Sequence, residues 1–392
     1  GKGDGVEDKR RAEERFDELE PALKDISRWM YEHPEVAFEE KETSARLVDF
    51  LEENGFAVEY PVFGLDTAFA ARIGTSGPEV VICCEMDALP EVGHACGHNI
   101  IAGAALGAGA ALAALVDDLG VRVTVLGTPA EEMYGGKIDL IRAGAFSGAA
   151  VAMMIHPAVR DVVDPVFLGV AHIDVEFFGK ESHAAFRPQI GLNALDAAVQ
   201  AYVAISTLRQ AMYPTDKIHG VITYGGGAPN VIPAYTAMSW YVRAATEERI
   251  EELYGKVVGC FEAAATATGC TYEVTTRGHR YSDLLSNPIL SELYAANSAA
   301  LGRPMGWGVD DDPSSAGSTD MGNVSHEVPS IHPMLDIKAA PAVNHQKEFA
   351  AHTVSPTGER AIRDGALAMA WTIIDLASHD RWEELVGARG GP

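Results

Sequence analysis

Glu85-Met86-Asp87-Ala88-Leu89-Pro90-Glu91-Val92-Gly93-His94-Ala95-Cys96-Gly97-His98-Asn99 joins a strand-like run, Val80 to Cys84, to a long helix of small residues, Ile100 to Val116. A strand that runs through a loop into a helix is the repeating unit of an α/β sheet. In this loop a thiol and an imidazole stand two residues apart, with carboxylates upstream. These are the ligand types that borderline divalent metals take. A lone Cys-Gly-His is more often structural than functional, so the weight falls on what the rest of the chain brings to it.

Upstream, Phe16, Leu19, Leu23, Ile26 and Met30 recur at steps of three and four, which predicts an amphipathic helix. His33-Pro34 ends it, Thr43 to Glu53 supplies a second helix closed at Gly55, and Phe56 to Tyr60 and Ala68 to Ile73 read as strands. Downstream, Val121 to Leu126 and Ala150 to Ile155 are strand-like and Lys137 to Ala143 is helical. Polar residues stand just past each central strand: Asp87 after the first, Glu131 and Glu132 after the second, His156 after the third. Ligands of open α/β sheets bind outside the carboxyl ends of the strands. One sheet edge is therefore expected to collect these groups.

Near Gly169 the pattern changes to Val170–Phe178 strand, Leu192–Met212 helix, Ile218–Tyr224 and Ala234–Ala244 strands, Glu247–Thr268 helix and Thr271–Thr276 strand. That βαββαβ order is the ferredoxin-like split unit. Helix then returns, followed by a strand Ser330–Ile337 and a helix Pro356–Ser378. The expected fold is α/β: a sheet-based catalytic domain covered by helices, formed by 1–168 and 280–392, with an inserted ferredoxin-like domain at 169–279.

A chain of 392 residues fits two domains. Its net charge of −26 repels phosphate backbones and anionic lipid, so no nucleic acid and no membrane surface is expected as a partner. The apolar run Ile100 to Val116 is too short and too rich in Ala and Gly for a membrane span. Gly1 to Arg15 is mostly charged and is expected to be loose, with no signal pattern. Five cysteines without a disulfide-scaffold density favour reduced thiols and a cytoplasmic location.

Cys96, His98, Glu132, His156 and a late histidine, favoured as His345, could fill the positions around two divalent ions that share one ligand. Glu131 and Glu132 are adjacent, so their side chains diverge: one can hold metal while the other takes a proton from water. These residues lie in stretches, among them His33-Pro34-Glu35, Glu85 to Pro90, His94 to Asn99, Gly127 to Glu132, Gly179 to Pro188, Gly225 to Pro233, Gly317 to Ser325 and Val343 to His345, that resemble a known family. It is the dinuclear, co-catalytic metallopeptidase family of aminoacylases, glutamate-releasing carboxypeptidase and auxin-conjugate amidohydrolases. The nearest branch holds aminobenzoyl-glutamate hydrolase and the dipeptidase of basic dipeptides.

The resemblance implies that Cys96 bridges two ions, zinc or manganese, with His98 and His156 on one and Glu132 and His345 on the other. It makes Glu131 the general base and Asp87 the residue that orients a ligand. Among His326, His332, His345 and His352 it favours His345, because Asn344-His345 precedes a Glu-Phe pair as in that branch. The inserted domain becomes a lid and dimerisation domain in which His183 stabilises the oxyanion and Asn230 and Arg243 hold a substrate carboxylate. Asn99 departs from the Asp of the auxin-conjugate branch.

The activity expected is hydrolysis of the amide bond of an N-acyl or aminoacyl amino acid, a dipeptide or aryl-amide conjugate, by metal-activated water in a homodimer. A hydrolytic deaminase of an aromatic amine on the same dinuclear site is the alternative. A hydrolase with Cys96 as nucleophile and a metal-stabilised binding protein are further rivals, the latter disfavoured by the presence of Glu131. Side-chain preference falls to two loops, Ala158 to Phe167 and Gly302 to Ser315.

Overall fold

Helix α1 (Val6–Glu32) buries Phe16, Leu23 and Met30 along one stripe, as the sequence periodicity requires. The computed structural model describes residues 5–313 and 316–388; Ser314 and Ser315, at the end of one predicted specificity loop, lie outside the described residues. The helix starts at Val6, inside the segment that its charge marks as loose. Tertiary contacts explain the difference. Lys9 reaches Asp375 at 2.8 Å and Asn297 at 3.0 Å, the Trp371 indole donates to the Lys9 carbonyl at 3.1 Å, and Ala12 is buried. Arg10 pairs with Glu7 and Glu14 along the same helix face.

After α2 (Lys41–Glu53) come β1 (Ala57–Glu59), β2 (Phe69–Ile73), β3 (Glu79–Glu85), α3 (His98–Leu112), α4 (Val116–Leu119), β4 (Arg122–Thr128), α5 (Gly136–Arg142), β5 (Val151–Met153) and β6 (His156–Ala158). In β3, Val80, Ile82 and Cys84 face the core that contains α1 and α3, while Val81 and Cys83 face a second cluster with Leu140, Met321 and Val324. Both faces of the strand are covered, which is why it reads as an unbroken apolar run. Strand β3 lies parallel to β4 and β5, with Glu85 opposite Thr128, so these strands end on one edge. Helix α3 packs closely because it lacks side chains: a Cβ on Gly107 would lie 2.8 Å from Phe16 Cε2.

Residues 166–283, with 312–319, form a separate compact unit. It contains β7 (Gly169–Phe178), β8 (Ser182–His183), α6 (Ala194–Leu208), β9 (Lys217–Tyr224), β10 (Val231–Ile232), β11 (Tyr235–Ala244), α7 (Glu247–Thr268) and β12 (Thr271–Thr276). The antiparallel sheet runs β12-β7-β11-β9, the ferredoxin-like order. Alternate residues Ile173, Val175 and Phe177 of β7 share a core with Ala197 and Ala201 of α6 and Phe261 of α7. Asn193 and Thr246 cap the two helices, accepting backbone N–H bonds from Leu195 and Asp196 and from Arg249.

The chain returns to the first unit with α8 (Pro288–Ala300), α9 (Met321–Glu327), β13 (Ser330–Ile331), β14 (Met334–Asp336), α10 (Lys347–His352), α11 (Pro356–Ser378) and α12 (Trp382–Gly387). The single strand expected over Ser330–Ile337 is two: β13 completes the sheet in the order β1-β2-β4-β3-β5-β13, and β14 pairs with β6. Pro333, which has no N–H to give to a ladder, separates them. No helix among the described residues is long and apolar enough to cross a membrane.

Candidate metal centre

The loop after β3 reaches its chemistry through Gly97, which has φ +73° and caps α3. A Cβ at this position would stand 2.4 Å from Pro157 Cγ. Glycine thus serves twice, giving the left-handed turn and letting the His156-Pro157 segment come against the loop. Helix α3 begins two residues earlier than the sequence pattern places it, so His98 is its first residue. The late loop is tied to the same place, because the His345 N–H donates to the Ala95 carbonyl at 2.8 Å.

Cys96 Sγ lies 3.4 Å from His156 Nε2, and the other nitrogen of that ring, Nδ1, donates to the Pro157 carbonyl at 2.7 Å. This fixes the tautomer and turns the Nε2 lone pair toward the thiol. His98 Nδ1 donates to Asp87 Oδ1 at 3.0 Å, leaving Nε2 to face Glu85 Oε2 at 3.1 Å and Glu132 Oε1 at 3.3 Å. Asp87 Oδ2 also accepts the Glu132 N–H at 3.1 Å, so one carboxylate orients both the ring and the acidic loop. Glu132 Oε2 lies 3.3 Å from His345 Nε2.

Two donor triads result, Cys96 with His98 and His156 and Cys96 with Glu132 and His345, each with its ligand atoms within 4.8 Å of one another. A third set, Glu85, His98 and Glu131, adjoins them. Neither His326, His332 nor His352 enters a triad among the described residues. His332 instead stacks on His156 at 5.3 Å, and burial, then His156, lowers its pKa to about 3.

The donor chemistry fits divalent cations. His98 Nε2 lies 3.1 Å from Glu85 Oε2 and 3.3 Å from Glu132 Oε1, and a positive charge on or among these buried groups, a ring proton or a divalent ion, is what holds them together. Burial, followed by Glu132, pushes the Cys96 thiol up, and a coordinated cation is the physical means of ionising such a thiol. The adjacent glutamates have opposite environments. Burial, then Glu132 and Glu85, push Glu131 well above the usual carboxylate range. Glu132 is brought down to about 2 because His98 and His345 outweigh its burial. Two carboxyl groups whose environments drive their pKa values apart suit different tasks.

In the inserted unit, β8 and β10 pair His183 with Val231, next to the exposed Asn230. His183 Nδ1 accepts N–H bonds from Ala185 at 3.2 Å and Phe186 at 3.0 Å, so the ring proton is on the exposed side, at Nε2. Arg243 in β11 bonds Ser318 Oγ at 3.1 Å and His219 Nε2 at 3.3 Å, and no carboxylate pairs with it among the described residues.

The sequence reading gave no role to Glu85, Lys137 or Asp320, which lie buried at the foot of the centre. Only the placement of Glu85 at the end of the strand before Asp87 hinted at the first. His94 is 1% exposed, neither of its nitrogens has a hydrogen bond among the described residues, and burial followed by His98 lowers its pKa to about 3. Asn99 points away from the donors, its amide N–H bonding Thr353 Oγ1 at 3.0 Å and Ser27 Oγ at 3.2 Å.

Comparison with known proteins places this geometry in a lineage. The model of peptidase family M20/M25/M40 matches residues 82–363. The mouse Xaa-Arg dipeptidase is 42% identical over 385 residues, covering 94% of this chain and 88% of that protein. One of the polypeptides of the Escherichia coli K12 p-aminobenzoyl-glutamate hydrolase is 31% identical over 270 residues, covering 64% of this chain and 56% of that polypeptide. Among solved structures, the Bacillus subtilis YXEP protein, described as a dinuclear metal binding peptidase from the M20 family, shares the fold with TM-score 0.68 at 20% identity, covering 92% of this chain and 99% of its own. The chain belongs to peptidase family M20/M25/M40 and is a metal-dependent hydrolase of amide bonds.

Proposed function

We propose that the chain cleaves dipeptides whose second residue is basic, using two divalent ions, zinc or manganese, with Cys96 shared between them. His98 and His156 would hold one ion with Cys96, and Glu132 and His345 the other with the same cysteine. The observation that carries the reading is the pair of donor triads with Cys96 in common. When bound, the ions lower the pKa of a water toward ~7 and polarise the scissile carbonyl.

The chain's own residues do the rest. Asp87 fixes the His98 ring through Nδ1 and holds the backbone of Glu132. Glu131, beside Glu132 in the loop after β4, accepts the proton of the attacking water on its carboxylate and returns it to the leaving amine nitrogen. From the inserted unit, the His183 Nε2–H donates to the carbonyl oxygen as charge develops on it. Arg243 and Asn230 hold the substrate's terminal carboxylate, a group that a planar guanidinium matches well. The dipeptidase relative supports the basic preference, and a net charge of −26 favours cationic substrates over anionic ones.

A substrate panel tests this. Xaa-Arg and Xaa-Lys dipeptides are expected to give a kcat/KM at least about tenfold above those of aminobenzoyl-glutamate and N-acetyl amino acids, the scale of one well-placed polar contact. Equal or greater hydrolysis of aminobenzoyl-glutamate moves the specificity to the other branch.

We further propose a homodimer through the inserted unit. Its edge strand β9 exposes Val221, Ile222 and Tyr224, and α6 exposes Val199, Tyr202 and Val203. An exposed edge strand and an exposed apolar helix face are surfaces that proteins ordinarily cover. Sedimentation at micromolar concentration is expected to give twice the chain mass; the monomer mass contradicts the proposal. The five free cysteines suit a reducing, cytoplasmic setting.

A further inference from the structure

Glu40, Thr67 and Ala130 come from three separate segments and are each buried at 0% exposure. Glu40 stands at the N-terminal end of α2, where its carbonyl accepts the Ser44 N–H at 3.0 Å, yet its carboxylate makes no capping bond to the helix. The side chain turns away instead: Oε2 accepts the Thr67 hydroxyl at 2.9 Å and Oε1 accepts the Ala130 N–H at 3.0 Å. Burial, followed by Asp87, raises its pKa to about 7, so a carboxyl here costs stability that an apolar residue would not. Glu40 belongs to none of the candidate donor sets among the described residues.

The chain leaves β4 through Ala130. Thr128 ends the strand, and Ala130 has φ +59°, a left-handed conformation that a residue with a Cβ rarely adopts. An alanine left to itself returns to negative φ, and Glu131 and Glu132, the next two residues, would swing with it. Bonds on both sides of the residue oppose that return. The Ala130 carbonyl accepts N–H bonds from Tyr134 and Gly136, each at 3.3 Å, and Glu40 takes its N–H. Asp87 takes the Glu132 N–H at 3.1 Å, so alternate amides of the acidic loop end on two buried carboxylates. Strained backbone of this kind persists only where its surroundings over-determine it.

We propose that Glu40 is a positioning residue for the reaction: by holding Ala130 in the left-handed turn it sets the directions in which Glu131 and Glu132 leave the backbone. A carboxyl that served the fold alone would act the same way whatever residue stood at position 130. The clamp makes that residue decisive. Glycine populates positive φ about as readily as negative φ, so Ala130→Gly removes the need for it.

The inference rests on the roles assigned to Glu131 and Glu132, and its test separates the two. Glu40→Met, which fills the space without an acceptor, and Glu40→Gln, whose amide oxygen still accepts the Ala130 N–H, are each made in wild-type and Ala130→Gly backgrounds. Turnover is measured on protein of known zinc content, and zinc affinity by competition with a chelator. In the wild-type background Glu40→Met is expected to lower kcat and zinc affinity roughly 10–100-fold, the range for residues that orient metal-site groups, and Glu40→Gln to lose less. In the Ala130→Gly background the loss caused by Glu40→Met is expected to shrink at least about fivefold, the low end of what left-handed strain is worth. Glu40→Asp, which draws the acceptor back by one methylene, takes the place of Glu40→Met if that variant does not fold. Equal losses in the two backgrounds, or wild-type kcat and zinc affinity in folded Glu40→Met, overturn the inference and leave Glu40 purely structural. Near-normal turnover by Glu131→Gln, or no zinc bound by wild type, overturns the assigned roles instead.

Discussion

Glu131→Gln is expected to lower kcat by ~10²–10⁴-fold, the range that a general base contributes, while the variant stays folded and keeps its metal. The physical reason is the contrast between neighbours. Glu132 is ionised beside His98 and His345, with Oε2 at 3.3 Å from the His345 ring, whereas burial and two nearby carboxylates make Glu131 a strong proton acceptor. Glutamine preserves the volume and one oxygen but cannot take a proton. Steady-state kinetics on protein of measured metal content checks this, and near-normal turnover excludes Glu131 as the base.

Gly97→Ala is expected to destabilise the protein by about 2–6 kcal/mol and to reduce metal retention as well. A non-glycine residue held at φ +73° costs about 1–3 kcal/mol. The added methyl would also stand 2.4 Å from Pro157 Cγ, an overlap that must be relieved by moving one of the two loops, at about 1–3 kcal/mol. Cys96 and His98 flank the glycine and His156 precedes the proline, so any such movement separates the first donor triad. Urea unfolding and metal analysis measure the two effects together. Wild-type stability with wild-type metal content contradicts the packing described here.

The α/β architecture and the collection of ligand-type residues at one sheet edge were legible because they follow from local patterns. Unbroken apolar strands, the small-residue helix after them and the polar residues just past each strand are properties of short windows. The ferredoxin-like order was legible for the same reason, and α7 and β12 fall within the expected bounds. What the sequence hid depends on partners far along the chain. Val6 to Arg15 is helical because Lys9 meets Asp375 and Asn297, contacts that no local window contains. The break at Pro333 and the pairing of β14 with β6 were masked by apolar flanks that read as one strand. Glu85, Lys137 and Asp320 are ordinary polar residues in sequence and become a cluster only when β3, α5 and the segment before α9 are packed. Adjacency alone did not divide the tasks of Glu131 and Glu132, and only the family resemblance named Glu131 as the base; the contrast in their environments comes from His98, His345, Glu85 and Asp320, all remote in the chain.

Metal analysis with chelation and add-back on the wild-type enzyme tests the account most directly. About two divalent ions per chain are expected, with amide hydrolysis that disappears on chelation and returns when zinc or manganese is restored. Stable, active protein with no bound metal and no response to chelator would contradict the shared-cysteine centre on which the mechanism stands.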